Sequence, residues 1–479
     1  MWRLGRWLPE PARVSAIDDG AVRGRELSLG LSQGAPFLLD PTGGPDTDVL
    51  AFFSSATFGL LSEQTQLSYA KDLRLFLSFL SSQGRGWREA TWSEVLDYEH
   101  WRRRDAANPR RVSGTKIMRE LAAGKKFYEW QLRRGQVSTN PFAGEDASGS
   151  GLRVKDVRSQ RVKWLTPLAF QQWRDVGLGG RRLDGSGDSS SRVRSSSRNV
   201  AFANLLWSSG LRLREAGSLL MIEVPALDSS LRFHRARVGQ AVAKGRGRDY
   251  WMGTNARRDI ESYVVATRAA AIGRAQREGR YDDLPGLLIL RKASGRQLVI
   301  EERDGGVLRE TTLDLLTASE RARLFQDAPA GLEPLMMFLG ESGLPMRYSS
   351  WEAVFSAANA RCGAAGLDVS CHPHMLRHSF ALRMLVTLMH AFDRRMGLTP
   401  EERRDYRILF GDPWVLVQTL LGHTNPQTTR DVYLEPVRGL HVELFLNTGD
   451  EVNEDAGFTA AVRQHLAETG LVADGADVS

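Results

Sequence analysis

Only two cysteines, Cys362 and Cys371, occur among 479 residues, and they form no C-x-x-C pair. Their scarcity excludes a disulfide framework and a cysteine-rich zinc module and points to a reduced compartment. Long apolar runs are missing as well. None approaches the roughly 18 residues that a membrane-spanning helix needs, so no membrane partner is expected. The opening M-W-R-L-G-R-W-L-P-E-P breaks at Pro9 before an export signal's apolar core is complete, and a cytoplasmic setting is the expectation. Acidic residues are short relative to basic ones until the end of the chain. From His441 onward there are eight (Glu443, Asp450, Glu451, Glu454, Asp455, Glu468, Asp474, Asp477) against the single Arg463, leaving 63 basic and 49 acidic residues, a net of +14, in the first 440. A basic body with an acidic tail suits a polyanionic partner.

What is present is mostly helical periodicity. Residues 1–45 show none that is sustained and read as an irregular arm. From 46 to 142 the pattern predicts a small helical domain. Leu67, Leu73, Phe76, Leu77 and Leu80 form an apolar stripe over 65–80, with Lys71 and Arg74 on the other face. A second helix over 91–104 opens on the capping pattern Thr91-x-x-Glu94, and a third spans 113–132 with Lys116, Arg119, Lys125 and Lys126 outward. Residues 143–161, containing E-D-A-S-G-S-G, read as a linker. A larger region, 162–440, follows. It opens with Thr166 as cap and Pro167 at the first helical position, and it carries interruptions near 179–198 (serine- and arginine-rich, expected to be disordered), 281–347 (irregular) and 389–413. Alternation over 231–252 predicts a small antiparallel sheet, and helices are expected over 199–207, 257–278 and 351–365. The fold class is therefore mostly α with a small antiparallel β-sheet, α+β, followed by the acidic tail at 441–479.

Four stretches in the larger region carry chemistry. S-G-L-R-L-R-E-A-G-S-L-L places Arg212 and Glu215 one turn apart at a helix start, after Gly210 has ended the preceding helix. A-K-G-R-G-R tips Lys244 off a Gly-rich turn. C-H-P-H-M-L-R-H-S-F sets His374, Arg377 and His378 three and four residues apart on one helical face. L-L-G-H-T-N-P-Q-T-T-R-D-V-Y stops an apolar helix at Gly422, follows it with His423, and carries Tyr433 on the next helix. The H-x-H-x-x-x-H run at 372–378 lacks a carboxylate or cysteine ligand set beyond Cys371, so no metal is expected.

In this order the four stretches resemble the tyrosine recombinase (phage integrase) family. The resemblance implies a helical core-binding (SAM-like) DNA-binding domain over 46–142, with Lys71, Arg74, Lys116, Arg119, Lys125 and Lys126 toward DNA, and a catalytic domain over 162–440. It implies that Tyr433 attacks a DNA phosphate to leave a 3′-phosphotyrosyl link and a free 5′-hydroxyl. Arg212 and Arg377 would clamp the nonbridging oxygens, Lys244 would protonate the departing 5′-oxygen, and His374 and His423 would assist, with Glu215 and His378 in support. No cofactor, metal or ATP enters such chemistry. The implied setting is the nucleoid, and the implied partners are double-stranded DNA with specific, inverted-repeat sites and three further copies in a tetramer on it. Integration or excision of a mobile element is the expected process. A type IB topoisomerase and a DNA-binding regulator that has lost activity are the alternatives. Two features depart from the family's compact pattern: His423 follows Arg377 by 46 positions, and Tyr433 follows His423 by ten rather than nine.

Overall fold

The computed structural model describes residues 1–7, 34–144, 163–187, 195–243, 246–394 and 413–422, with 386–394 and 413 as backbone alone. The chain divides into two compact units, Met1–Gln160 and Arg161–Ser479.

The first unit begins with an antiparallel pair, β1 (Arg3–Arg6) against β2 (Pro36–Leu39), in the register Arg3 to Leu39. The irregular reading of 1–45 is thus corrected for its described residues. Two four-residue strands separated by a long stretch of chain leave no periodic signature in sequence. The pair is anchored by Trp2, whose backbone N–H donates to Ser78 Oγ at 3.1 Å and whose indole donates to Ser81 Oγ at 3.0 Å. Five helices follow: α1 (Thr47–Phe53), α2 (Ala56–Gly59), α3 (Glu63–Ser82), α4 (Trp92–Arg103) and α5 (Gly114–Arg133). The α4 start is the expected capping box, with Thr91 N–H donating to Glu94 Oε2 at 2.8 Å. The apolar stripe of α3 meets aromatic side chains from its neighbours, Phe76 packing edge-on to Tyr98 and Tyr128. Gly124 admits Phe142, whose ring tip would lie 2.3 Å from any Cβ there.

The second unit opens with α6 (Pro167–Gln172), capped by Thr166 as expected and continued by a π-helical turn. A buried helix, α7 (Ser196–Ser209), forms its centre, with Phe202 stacked on Trp351 at 3.6 Å between ring centres. Next come the short α8 (Leu213–Gly217) and the expected hairpin of β3 (Phe233–Val238) and β4 (Arg248–Gly253). Helices α9 (Thr254–Ser262) and α10 (Ala269–Arg277) are joined by a π-helical turn into the long helix read from sequence.

The stretch 281–347 is not irregular. It holds β5 (Leu288–Ser294), β6 (Gln297–Glu302), β7 (Val307–Thr312), α11 (Ala318–Ala322), β8 (Leu324–Ala328) and β9 (Gly331–Pro334), with the strands in the order β7-β6-β5-β8-β9. All pairs are antiparallel except β5 with β8. The strands escape sequence reading because β7 and the end of β5 are exposed on both faces and so do not alternate. After β9 the chain pairs back onto the exit of α8, Met337 N–H reaching Leu219 O at 2.9 Å. Helix α12 (Ser350–Ala364) leads to α13 (Pro373–Arg394), and α14 (Pro413–Leu421) packs on α13 through Leu385, Val417 and Leu421. Residues 188–194, most of the 389–413 interruption and the tail lie outside the described residues.

Candidate active site

Three local devices bring distant residues to one place. Gly210 ends α7 with φ +62°, a left-handed conformation that favours glycine, and a Cβ there would sit 2.2 Å from the Phe380 ring, so α13 lies directly against this turn. Arg212 then caps α8, its backbone N–H donating to Glu215 Oε2 at 2.8 Å. On the other side, Asn359 fixes the entry to α13 by accepting from Cys371 N–H and donating to Cys371 O, both at 2.9 Å.

Glu215 is the centre of the resulting cluster and is fully buried. Arg212 Nη1 donates to its Oε1 at 2.9 Å, and Arg248, the first residue of β4, grips both oxygens through Nη1 and Nη2 at 2.8 and 2.7 Å. Burial pushes the Glu215 carboxyl up, but the hydrogen bonds from Arg248 and the charges of Arg248, Arg377 and Arg212 outweigh it and hold the pKa at about 2. It is a carboxylate at any ordinary pH.

The same three guanidinium groups reach the C-terminal end of α14. Arg248 Nε donates to Leu420 O at 3.1 Å, Arg377 Nη2 to Leu421 O, and Arg212 Nη2 to Gly422 O at 3.2 Å. Arg377 also donates to Gly210 O at 2.6 Å and is 1% exposed. Consecutive carbonyls at a helix C-terminus carry partial negative charge, so cations belong there. Gly422 stops α14 with φ +63°, as the sequence predicts, and a Cβ on it would lie 2.6 Å from Arg248 Cδ. Planar forks converging on oxygens are the donor arrangement suited to a phosphate.

Arg212, Glu215 and Arg377, singled out from sequence, are therefore brought together. His374 and His378 lie on α13 on either side of Arg377, their ring centres 4.2 Å apart, with His374 exposed. Lys244, His423 and Tyr433 lie outside the described residues. Arg248 was not among the residues singled out. Its signal was present in A-K-G-R-G-R, but the partner that makes it part of the site is 33 residues upstream. Among the described residues no three His, Cys, Asp or Glu side chains could hold a metal ion.

In the first unit, Lys71 is exposed while Arg74, Lys125 and Lys126 are half-buried. Lys116 and Arg119 turn to the buried Asp72: Arg119 Nε donates to it at 2.9 Å, Lys116 pairs with it, and Lys116 also lies 3.1 Å from Glu120.

Residues 59–135 match the family model described as phage integrase, N-terminal SAM-like domain. The tyrosine recombinase XerD of Shewanella oneidensis is 24% identical over 285 residues, covering 59% of this chain and 84% of that protein. Among solved structures, XerH site-specific recombinase bound to a palindromic difH substrate is 12% identical, with coverage of 91% and 92% and a TM-score of 0.46. The Tn1549 transposon integrase, in complex with a circular intermediate DNA, is 14% identical, with coverage of 81% and 95% and a TM-score of 0.43. No described helix is long and apolar enough to cross a membrane. With a SAM-like match ahead of a unit in which G-L-R-L-R-E, H-M-L-R-H and L-G come together, the chain is similar to the tyrosine recombinase (phage integrase) family.

Proposed function

We propose that this protein binds double-stranded DNA at specific inverted-repeat sites and cuts and rejoins it through a 3′-phosphotyrosyl intermediate, to integrate or excise a mobile element. The observation that carries the reading is the convergence of Arg212 and Arg377 on Leu421 O and Gly422 O, immediately before His423. Two guanidinium forks beside the L-G-H turn are the donor type that suits the oxygens of a phosphodiester.

Tyr433 attacks phosphorus, displacing the 5′-oxygen, which takes a proton from Lys244. Arg212 and Arg377 stabilise the charge spreading over the nonbridging oxygens, His423 donates to one of them, and His374 assists removal of the tyrosine proton. The phosphotyrosyl link conserves the energy of the broken bond, so attack by another 5′-hydroxyl rejoins strands without ATP or metal. Four copies on paired sites, in the nucleoid, would exchange two duplexes. The domain assignment follows: a core-binding domain over 46–142, a linker over 143–161 and a catalytic domain over 162–440.

The deciding experiment uses nicked suicide duplexes drawn from the DNA flanking the gene. Wild type traps a covalent adduct in the presence of EDTA. Tyr433→Phe binds the duplex but forms none. An adduct with Tyr433→Phe sinks the nucleophile assignment, and binding with no wild-type adduct favours a non-cutting regulator.

A further inference from the structure

Arg248 joins Glu215 to both Leu420 and Gly422. Its two terminal nitrogens occupy both carboxylate oxygens, its Nε holds Leu420 O, and its Cδ sits where only a glycine at 422 leaves room. It is 10% exposed, so water cannot substitute freely for any of these contacts. Arg212 depends on the same carboxylate for its backbone and side-chain placement.

We infer that Arg248 is a positioning residue for strand cleavage. It fixes the Leu420–Gly422 turn, and hence the start of the segment carrying His423, in register with the Arg212 guanidinium. This rests on the recombinase reading above. Arg248 has no free path to the DNA phosphate in this role and acts through Glu215 and the helix end. A chelating arginine is needed because a lysine, a point donor, could engage the carboxylate or the carbonyl but would not span both in a fixed plane.

Displacing a reacting group by about 1 Å through a remote change costs about a hundredfold in rate. Arg248→Ala should therefore slow adduct formation on the suicide duplex about a hundredfold while site binding stays within a few fold of wild type. A pH signature accompanies it. The groups facing Glu215 are Arg212 on its own helix, Arg248 and Tyr250 on β4, and Arg377 on α13. With Arg248 gone, burial weighs against fewer opposing charges, and the carboxyl pKa rises. Cleavage by the variant should then fall further as pH drops, in a range where Glu215 of the wild type stays ionised.

Because Arg248→Ala leaves a buried carboxylate short of its main partner, which opposes folding, a double variant, Arg248→Ala with Glu215→Gln, supplies the second arm. Without the orphaned charge it should fold and bind DNA, lose the acid limb, and remain at least about tenfold slow, since nothing holds Leu420 O. If the double variant cleaves within about threefold of wild type, Arg248 serves only to neutralise Glu215 and the inference is overturned. Wild-type rates with Arg248→Ala would overturn it directly. A wild type that forms no adduct overturns the recombinase reading, and this inference with it.

Discussion

Each unit contains a buried ionic cluster, and the two differ in where their surplus charge lies. In the helical unit Asp72 and Glu120 face Arg102, Lys116 and Arg119. The extra cation sits at the solvent edge, Lys116 being 30% and Arg119 50% exposed, where water screens it. Glu120 is completed inside the bundle by Arg102 at 2.8 and 2.9 Å and by the Tyr98 hydroxyl at 2.7 Å. In the second unit, among the described residues, one carboxylate faces three guanidinium groups, two of them 10% exposed or less. A buried cation surplus is unfavourable unless other negative groups approach it. The end of α14 supplies partial charge, and in the proposed reaction a phosphate supplies more. Among the described residues the first cluster is matched within the bundle; under the proposed reaction the second would gain from the phosphate.

The largest effects should come from removing the surplus. Arg212→Ala and Arg377→Ala should each lower single-turnover cleavage by about two to three orders of magnitude. Lys244→Ala should do likewise, but be largely rescued when the bridging 5′-oxygen is replaced by sulfur, a leaving group that needs no acid. No rescue for Lys244→Ala, with rescue for another variant, would move the acid role. By contrast, Arg102→Ala should act on stability. Removing one partner of a buried pair costs about 3–5 kcal/mol, to be read as a lower urea midpoint. If Arg102→Ala slows cleavage as much as Arg377→Ala while leaving the midpoint unchanged, the distinction between the clusters fails.

A middle-sized effect concerns acid. The Glu215 pKa is depressed to about 2 in the folded chain, below its ordinary value. A depressed carboxyl contributes stability that is fully present above the unfolded pKa and is lost as pH falls through the folded one. Stability should therefore fall between about pH 4.5 and pH 2, by on the order of 3 kcal/mol from this group. Glu215→Gln should flatten that part of a denaturation profile. An unchanged acid limb in the variant would assign the loss to other carboxylates, Glu120 among them, whose pKa is also lowered because Arg102 and Tyr98 outweigh its burial.

The helices and their starts were legible because their determinants are local. Thr91 with Glu94 and Thr166 with Pro167 specify helix starts within one turn of chain, and Gly422 marks a stop. Arg212, Glu215 and Arg377 were legible through motifs that resemble the family's, spacing alone placing only Arg212 and Glu215 one turn apart. The five-stranded sheet was not, because strands exposed on both faces are free of alternation. Arg248 was missed for a different reason. Its role depends on β4 lying beside α8 and the end of α14, a relation that no local pattern encodes. The same holds for Lys116 and Arg119, which read as an outward basic face while their acid lay 44 and 47 residues upstream on α3.

Arg119 offers the smallest and most discriminating test. Its fork reaches Asp72 at 2.9 and 3.2 Å, yet it is half exposed and could still present charge to DNA. Asp72 is fully buried but keeps Lys116 as a second partner. Arg119→Ala should therefore cost only about 1 kcal/mol or less in stability. Binding separates the two roles more sharply. A phosphate contact would weaken DNA binding at every sequence and reduce the slope of log affinity against log salt by about 1. If Arg119 instead serves Asp72, both the affinity and the slope should stay at the wild-type values. We expect the second outcome, because a guanidinium already aligned on a buried carboxylate would have to break two hydrogen bonds to reach a phosphate. Lys71 on α3, exposed and one residue before Asp72, is the control: Lys71→Ala should shift the salt slope if this face meets DNA, and a shift with Arg119→Ala but not with Lys71→Ala would reverse the assignment.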